Sequence, residues 1–129
     1  MRVQARPVDD AECPEDIKPW AKADQTFVTV GRHYDVHAIA VFAHVPLVLI
    51  VDDLGYPSWD PGWLFEVRDP TPPADWVCNL FHSELSLVCG PAFLAKDEDA
   101  YNRMVELDAG QVRRFWERVD ALGEKVSQP

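Results

Sequence analysis

The chain has 129 residues, 47% of them apolar, with a formal net charge of −10 at pH 7, and this length suits a single hydrophobic core. No apolar run reaches the roughly 18 residues of a membrane helix, and the N-terminus lacks a secretory apolar stretch, so we expect a soluble cytoplasmic protein without membrane contact. The acidity argues against nucleic-acid binding, which needs Lys and Arg to neutralise phosphates, and favours a basic protein partner.

The chain divides by composition into an arm and a domain. Residues 1–24 combine three prolines with many charges and few periodic apolar positions, so we predict a loosely held arm. Residues 25–129 are predicted to form one domain, β-rich over 27–95 and helical over 97–123. Because 27–95 carries −6 of the net charge of −10, the acidity belongs to the folded domain.

The β-rich segment contains several runs of strand length. Residues 26–42 are dense in β-branched and aromatic residues, which predicts a short strand, a bend at Gly31 and a long strand. The continuous apolar run 47–51 predicts a central strand that ends in a tight acidic turn. Two further strands are predicted over 76–81 and 85–90, joined by a polar loop.

Between these strands lies a segment with turn and helix signals. Asp60 directly precedes Pro61, which predicts a cap and the first position of one short helical turn. Leu64, Phe65 and Val67 are expected to pack inward after that turn.

The C-terminal part carries helix signals. Asp97 begins a predicted short helix with Tyr101, Met104 and Val105 as its apolar stripe. Asp108 is predicted to cap a second helix. The apolar stripe of this second helix and the glycine expected to end it are Val112, Phe115, Trp116, Val119, Leu122 and Gly123. Strands followed by helices predict an α+β fold: a small antiparallel curled sheet or barrel with C-terminal helices packed on it.

The three cysteines suggest no shared site. Cys13, Cys78 and Cys89 make an odd number and include no Cys-x-x-Cys pair, so we expect reduced thiols and neither a disulfide framework nor a zinc site. Cys89 lies in an apolar run, which favours a small buried side chain over a reactive nucleophile.

One histidine-rich strand face is a candidate metal site. His33, Asp35 and His37 alternate along one face of the predicted long strand. Residues four apart on a strand are separated by about 13 Å, so a third ligand would have to come from elsewhere. Solvated strand residues are therefore favoured over a metal site, and no cofactor is predicted.

Paired acids offer the other route to catalysis. Asp52 and Asp53 follow the central strand, and Asp60 and Glu66 are close to each other in sequence. General acid and base catalysis needs two carboxyl groups with separated pKa values. An Asp-Asp pair just before a glycine is more typical of a turn, so we predict no catalytic residue.

Acidic and aromatic residues alternate within twelve positions of the predicted turn. The members of this predicted partner-binding surface are Asp52, Asp53, Tyr56, Trp59, Asp60 and Trp63. Trp and Tyr are enriched at interface hot spots, and carboxylates steer a basic partner towards them. For Trp63, which precedes two large apolar residues, packing against one end of a barrel is the favoured alternative.

Two resemblances accompany these patterns. YDVHAIAVF and LVLIVDDLGYPSWDPGWLFEV, within about residues 27–69, resemble the strand pair, acidic turn and Trp-x-Pro-like segment of small SH3-like barrels. In size and acidity the chain is similar to the immunity proteins of bacterial polymorphic toxins, which bind a cognate toxin and block its active site. This second resemblance implies a non-enzymatic toxin inhibitor.

Two alternatives to an inhibitor stay open at this stage. One is a small enzyme that uses a metal or the paired carboxylates. The other is an SH3-like adaptor that binds a peptide in an aromatic groove, with Tyr34, Tyr56 and Trp59 as walls.

Overall fold

The computed structural model describes residues 1–20 and 26–127, with side chains up to residue 122. The strands are β1 (Arg2–Ala5), β2 (His33–Asp35), β3 (Ala38–Phe42), β4 (Val45–Val51), β5 (Pro57–Pro61), β6 (Phe65–Asp69), β7 (Val77–Leu80) and β8 (Leu85–Gly90). The helices are α1 (Ala92–Ala95), α2 (Glu98–Val105) and α3 (Ala109–Ser127). Antiparallel strands followed by C-terminal helices confirm the predicted α+β class. Within the described residues, no helix has both the length and the apolar composition needed to cross a bilayer.

A three-stranded sheet contains the N-terminus of the chain. Its order is β2-β1-β6, so β1 is the central strand. Val3 and Ala5, two residues apart on β1, are 1% and 3% exposed. The prediction of a loosely held arm is therefore wrong for residues 2–5, because a strand of four residues is too short to show a clear period among charges and prolines. Residues 21–24 of that arm lie outside the described residues.

A five-stranded sheet of order β5-β4-β3-β8-β7 forms the larger part of the fold. Its strands β4, β7 and β8 confirm the strands predicted over 47–51, 76–81 and 85–90. The long strand predicted within 26–42 is instead split between the two sheets, and residues 26–30 form no strand. The split falls at Val36 and His37, whose N–H groups donate to the carbonyls of Met1 and Leu49.

The segment after β5 differs from its prediction. Asp60 lies inside β5, and Pro61 occupies the cap position before one turn of 3-10 helix at Gly62–Leu64. Asp60 is therefore not a helix cap, because pairing of β5 with β4 extends past it. The prediction that Val67 packs inward is wrong: Val67 is 55% exposed, and only the first residue of β6, Phe65, is buried.

Both predicted helix starts are confirmed. Asp97 accepts a hydrogen bond from the N–H of Ala100 at 2.8 Å, and Asp108 accepts one from the N–H of Gln111 at 3.2 Å. The second helix does not end at Gly123, since α3 continues to Ser127. Phe115 of α3 is fully buried against the sheet.

Two cysteines join β7, an edge strand of the larger sheet, to its neighbour β8. Cys78 of β7 lies opposite Cys89 of β8, with their Cα atoms 4.1 Å apart, and the two form a disulfide. The N–H of Phe81 donates to the carbonyl of Ser86, so these two residues form a hydrogen-bonded pair. Hydrogen-bonded and non-hydrogen-bonded pairs alternate along an antiparallel ladder, which makes the two cysteines a non-hydrogen-bonded pair. The expectation of reduced thiols is wrong for this pair, since spacing along the sequence does not reveal strand register. Half-buried Cys89 is therefore neither a nucleophile nor a simple core residue, while Cys13 is buried and free.

The opposite edge of this sheet has unusual main-chain chemistry. The N–H of Asp52 donates to the carbonyl of Tyr56, so alternation along the ladder directs the main-chain groups of Pro57, Trp59 and Pro61 away from β4. Proline has no N–H. The outer edge of β5 therefore offers one N–H group, that of Trp59, over five residues.

Close packing between β8 and β3 gives a testable stability effect. A Cβ atom placed on Gly90 would lie 2.8 Å from the Cβ of Ala38, so G90A should lower the free energy of unfolding by about 1–3 kcal/mol. Gly62 serves as the control, because the atom nearest to its added Cβ is the Pro46 carbonyl oxygen at 3.7 Å. Urea denaturation of both variants checks this, and equal losses would contradict it.

Candidate functional site

An open cleft lies between the β4–β5 turn and α2. Its volume is about 640 Å³. One wall comes from residues of the segment 52–59, the other from residues of 101–107, and Trp20, Phe27 and Phe42 complete it. We call this the aromatic cleft.

The floor of the aromatic cleft is made of packed rings. The ring centroids of Trp59 and Tyr101 are 5.1 Å apart, and Tyr101 stacks on Phe42 at 6.0 Å. Trp20 meets the other side of this cluster, edge-on to Phe42 at 5.7 Å. Burial raises the pKa of Tyr101 to about 12, so its hydroxyl stays neutral. The floor is therefore uncharged and held by ring contacts.

Large apolar side chains surround this floor at the surface. They are Phe27, Leu54, Tyr56, Val105 and Leu107, with exposed fractions between 40% and 58%, and all five line the cleft. We call them the apolar rim. Large exposed apolar side chains that gather around one cleft make that surface a candidate interaction site.

Leu107 of the apolar rim has a costly backbone conformation. It follows the last turn of α2 with a φ of 55°, and its N–H donates to the carbonyl of Met104 at 3.1 Å. Glycine is the usual residue at such a helix end, because a side chain in the left-handed region costs roughly 1–2 kcal/mol. An exposed leucine in this conformation therefore gives up stability that a glycine would retain.

Asp52 shapes the turn that carries part of the rim. Its carboxylate is buried and accepts hydrogen bonds from the N–H groups of Leu54 and Tyr56, both at 3.0 Å. Asp52 lines the cleft, and its bonds fix the backbone of two rim residues. Its role in the structure is that of an Asx turn.

Asp53 makes several hydrogen bonds within the chain. Its carboxylate accepts hydrogen bonds at 2.7 Å from the hydroxyls of Thr29 and Tyr34 and from the guanidinium of Arg32. Desolvation opposes ionisation, but these bonds outweigh it and lower the pKa of Asp53. Tyr34 is buried in the core with its hydroxyl bound here, so its predicted place in a peptide groove wall is wrong.

Asp60 and Trp63 lie away from the cleft. Asp60 is 2% exposed; one carboxyl oxygen accepts from the hydroxyl of Ser58 at 3.0 Å, and the other has no partner among the described residues. Burial raises the pKa of Asp60 to about 6. Trp63 packs on the core of the smaller sheet, and the guanidinium of Arg6 lies 4.9 Å from its ring centroid. Of the six predicted residues, the structure brings Asp52, Tyr56 and Trp59 together in the cleft.

The α2 wall was not predicted from the sequence. The prediction that Val105 belongs to the buried stripe of its helix is wrong, because 52% of this residue is exposed. Tyr101 and Met104, one helical turn apart, already fill the buried face. One signal in the sequence could have indicated this wall. Val105 and Leu107 lie on either side of Glu106 at the end of the helix, and residues two apart do not lie on the same helix face, so both cannot belong to the buried stripe.

The three residues considered for a metal do not converge. His33 and Asp35 are exposed on β2, and Asp35 pairs with Arg2 at 3.3 Å. His37 lies beyond the end of β2, where its ring contacts that of Phe115 at 4.9 Å. Within residues 1–20 and 26–122, no group of three or more His, Cys, Asp or Glu side chains is arranged to hold a metal ion.

Comparison with known proteins adds no relative. No protein-family model matches the chain, and no curated protein or solved structure shows significant similarity to it. The resemblances to SH3-like barrels and to immunity proteins therefore stay predictions. The geometry of the aromatic cleft is the basis for a function.

Proposed function

We propose that this chain is a non-enzymatic binding protein that docks a partner protein on the aromatic cleft, and that it acts as an immunity-type inhibitor of a cognate toxin. The observation that carries the proposal is the apolar rim, five large exposed side chains around an aromatic floor. Burial of such a patch is the main driving force of protein association.

The charge of the chain supports a basic partner. The net charge is −10, and −6 of it lies within residues 27–95. Because Asp52 and Asp53 are engaged in the turn, we assign the steering of the partner to the summed field and to exposed acids such as Glu106 and Asp108 beside Leu107. The rim provides affinity, and the field increases the association rate.

The size of the cleft limits what the partner inserts. A volume of about 640 Å³ is enough for a few inserted side chains. Tyr56 and Trp59 supply the aromatic contacts that are typical of hot spots. We therefore expect a partner that presents one or two apolar side chains within a basic surface.

Two rim variants test the binding surface. Tyr56→Ser removes an exposed ring, and Leu107→Gly removes an apolar side chain while relieving the left-handed backbone. Each should weaken partner binding at least about 10-fold, the effect of losing a hot-spot contact. Relief of backbone strain offsets the packing that is lost with the side chain. The free energy of unfolding of L107G should therefore lie within about 1 kcal/mol of that of the wild type.

The measurement compares capture of proteins from an extract of the source organism by immobilised wild type and variants. Val67→Ser on β6 is the matched control, because Val67 is similarly exposed and does not line the cleft. The partner is the protein retained by the wild type and V67S and lost with both rim variants. Equal retention by all four would refute the surface. Inhibition needs a second result: the partner must be toxic when produced alone and harmless with this chain.

A further inference from the structure

The outer edge of β7 is an exposed row of main-chain groups. β7 lies at one end of the five-stranded sheet and pairs with β8. Because Phe81 and Ser86 form a hydrogen-bonded pair, alternation along this ladder directs the N–H and C=O groups of Cys78 and Leu80 away from β8. None of these four groups bonds to another described residue, and Leu80 is 77% exposed. This edge can therefore accept a further strand.

β7 lacks the features by which proteins usually protect an edge strand. Its four residues, Val77–Leu80, include no charged residue and no proline, and its register with β8 contains no bulge. Charges, prolines and bulges are the usual means of discouraging an added strand. The opposite edge of the same sheet, at β5, contains two prolines. The contrast between the two edges marks β7 as the one that is open to pairing.

Covalent and polar contacts hold β7 in place from its inner side. The disulfide between Cys78 and Cys89 joins it to β8. The side-chain amide of Asn79 donates to the carbonyl of Ala95, the last residue of α1, at 2.6 Å. An edge that is ordered in the free protein loses little conformational entropy when a strand adds to it. β7 is therefore a preformed template for an extended segment.

An open hollow of about 600 Å³ adjoins the C-terminal end of β7. Leu80 and Phe81 line one side of it, and residues 97–99, all acidic, line another. Asp99 is paired with Arg103 at 2.9 Å, and the other two carboxylates have no cationic partner among the described residues. We call this the acidic hollow, and it shares no lining residue with the aromatic cleft. The edge of β7 offers the pairing groups, and the charge beside it favours a segment that carries Lys or Arg.

We propose that the β7 edge binds an extended peptide segment of a protein partner as a sixth strand of the larger sheet, with a Lys or Arg side chain in the acidic hollow. Both sheets are antiparallel throughout, so the added strand runs antiparallel to β7 and its basic residue precedes the extended stretch. Main-chain bonds to Cys78 and Leu80 provide affinity, and an apolar residue opposite Leu80 covers it. A second copy of this chain fits less well, because both copies would carry a net charge of −10. The site is independent of the aromatic cleft and of the inhibitor proposal.

Titration with the acetylated and amidated peptide KKTVTVT tests this site in the intact, non-reduced protein. In ¹H–¹⁵N spectra we expect saturable shifts of the amide resonances of Cys78 and Leu80, with a dissociation constant of about 1 mM. The amides of Val77 and Asn79, which already bond to β8, should shift less. Absence of a shift up to about 20 mM peptide, or equal shifts at all four residues, would overturn the proposal. It would also be overturned if the Cys78 and Leu80 amides were protected from exchange without peptide and lost that protection on dilution, because a second copy would then occupy the edge.

Two comparisons separate the contribution of charge from that of the main chain. The peptide TVTVTKK carries its lysines at the other end, and EETVTVT reverses the charge; each should bind at least about 5-fold more weakly than KKTVTVT. Equal affinity for all three peptides would overturn the contact with the acidic hollow, and this comparison needs only the wild type. Leu80→Pro removes the outward N–H, whereas Leu80→Ala keeps it, so L80P should weaken KKTVTVT binding at least about 5-fold more than L80A does. Equal losses in the two variants would overturn the main-chain pairing.

Discussion

At pH 7.5 the D60N variant is expected to be more stable than the wild type, with a free energy of unfolding up to about 3 kcal/mol higher. Asp60 is 2% exposed, and one of its carboxyl oxygens has no hydrogen-bond partner among the described residues. Burial raises the pKa of this carboxyl to about 6 from an ordinary value of 3.8, and the nearby charge of Asp52 adds to the rise. Asparagine keeps the shape and remains uncharged.

The stabilisation by D60N should depend on pH in one direction. Because the folded-state pKa of Asp60 is raised, its favourable contribution is fully present below pH 3.8 and is lost as the pH rises through about 6. D60N and wild type should therefore differ little at pH 4 and most above pH 7. Urea unfolding across this range measures the difference, with exposed Asp16→Asn as the control. A difference independent of pH would contradict the assignment to Asp60.

His37 is expected to have the opposite effect on how stability changes with pH. Burial lowers the pKa of His37 from 6.5 to about 4; Asp35 opposes this shift and Arg118 adds to it. The unfolded chain therefore binds a proton between pH 6.5 and 4 that the folded chain excludes, and stability falls as the pH falls through this window. In D60N, where the compensating acid is absent, the loss between pH 7 and 4 should reach about 3 kcal/mol.

The double variant D60N/H37Q isolates this effect. Glutamine does not titrate, so most of the loss between pH 7 and 4 should disappear. H37Q also loses the ring contact with Phe115, so the readout is the slope with pH and not the absolute stability. In the wild type the two groups oppose each other, and its profile should be nearly flat. Asp53 and Asp69 have lowered pKa values, and their stabilisation is lost only below the window. Equal slopes in D60N and the double variant would exclude His37.

The sequence was informative at several positions where local chemistry decides structure. The apolar run 47–51 has the length of a buried strand and ends in turn residues, and Asp97 and Asp108 have side chains that are preferred at helix starts. Sequence was less informative where partners are distant. The central position of β1 and the pairing of Cys78 with Cys89 depend on strand register, which is set by contacts far apart along the chain.

The sequence likewise indicated only part of the candidate site. Tyr56 and Trp59 stood out beside acids, and both line the aromatic cleft. Asp60 looked equivalent in sequence, but pairing of β5 with β4 continues past it and leaves it buried. Burial of an acid without a full set of partners is unfavourable, so a composition-based prediction places it at the surface. The second wall of the cleft comes from α2, whose position against β5 is a tertiary property.

The prolines of β5 also limit how copies of this chain can associate. With Pro57 and Pro61 directed outward, that edge of the five-stranded sheet is a poor template for a further strand. At the other edge, Cys78 and Leu80 of β7 keep N–H and C=O groups that face away from β8. If two copies paired along β7, each would occupy the edge of this sheet that can accept a further strand. The outermost strands of the joined sheet would then be the two β5 strands, which pair poorly. Through this sheet, self-association would therefore stop at a closed pair and not propagate into a fibre.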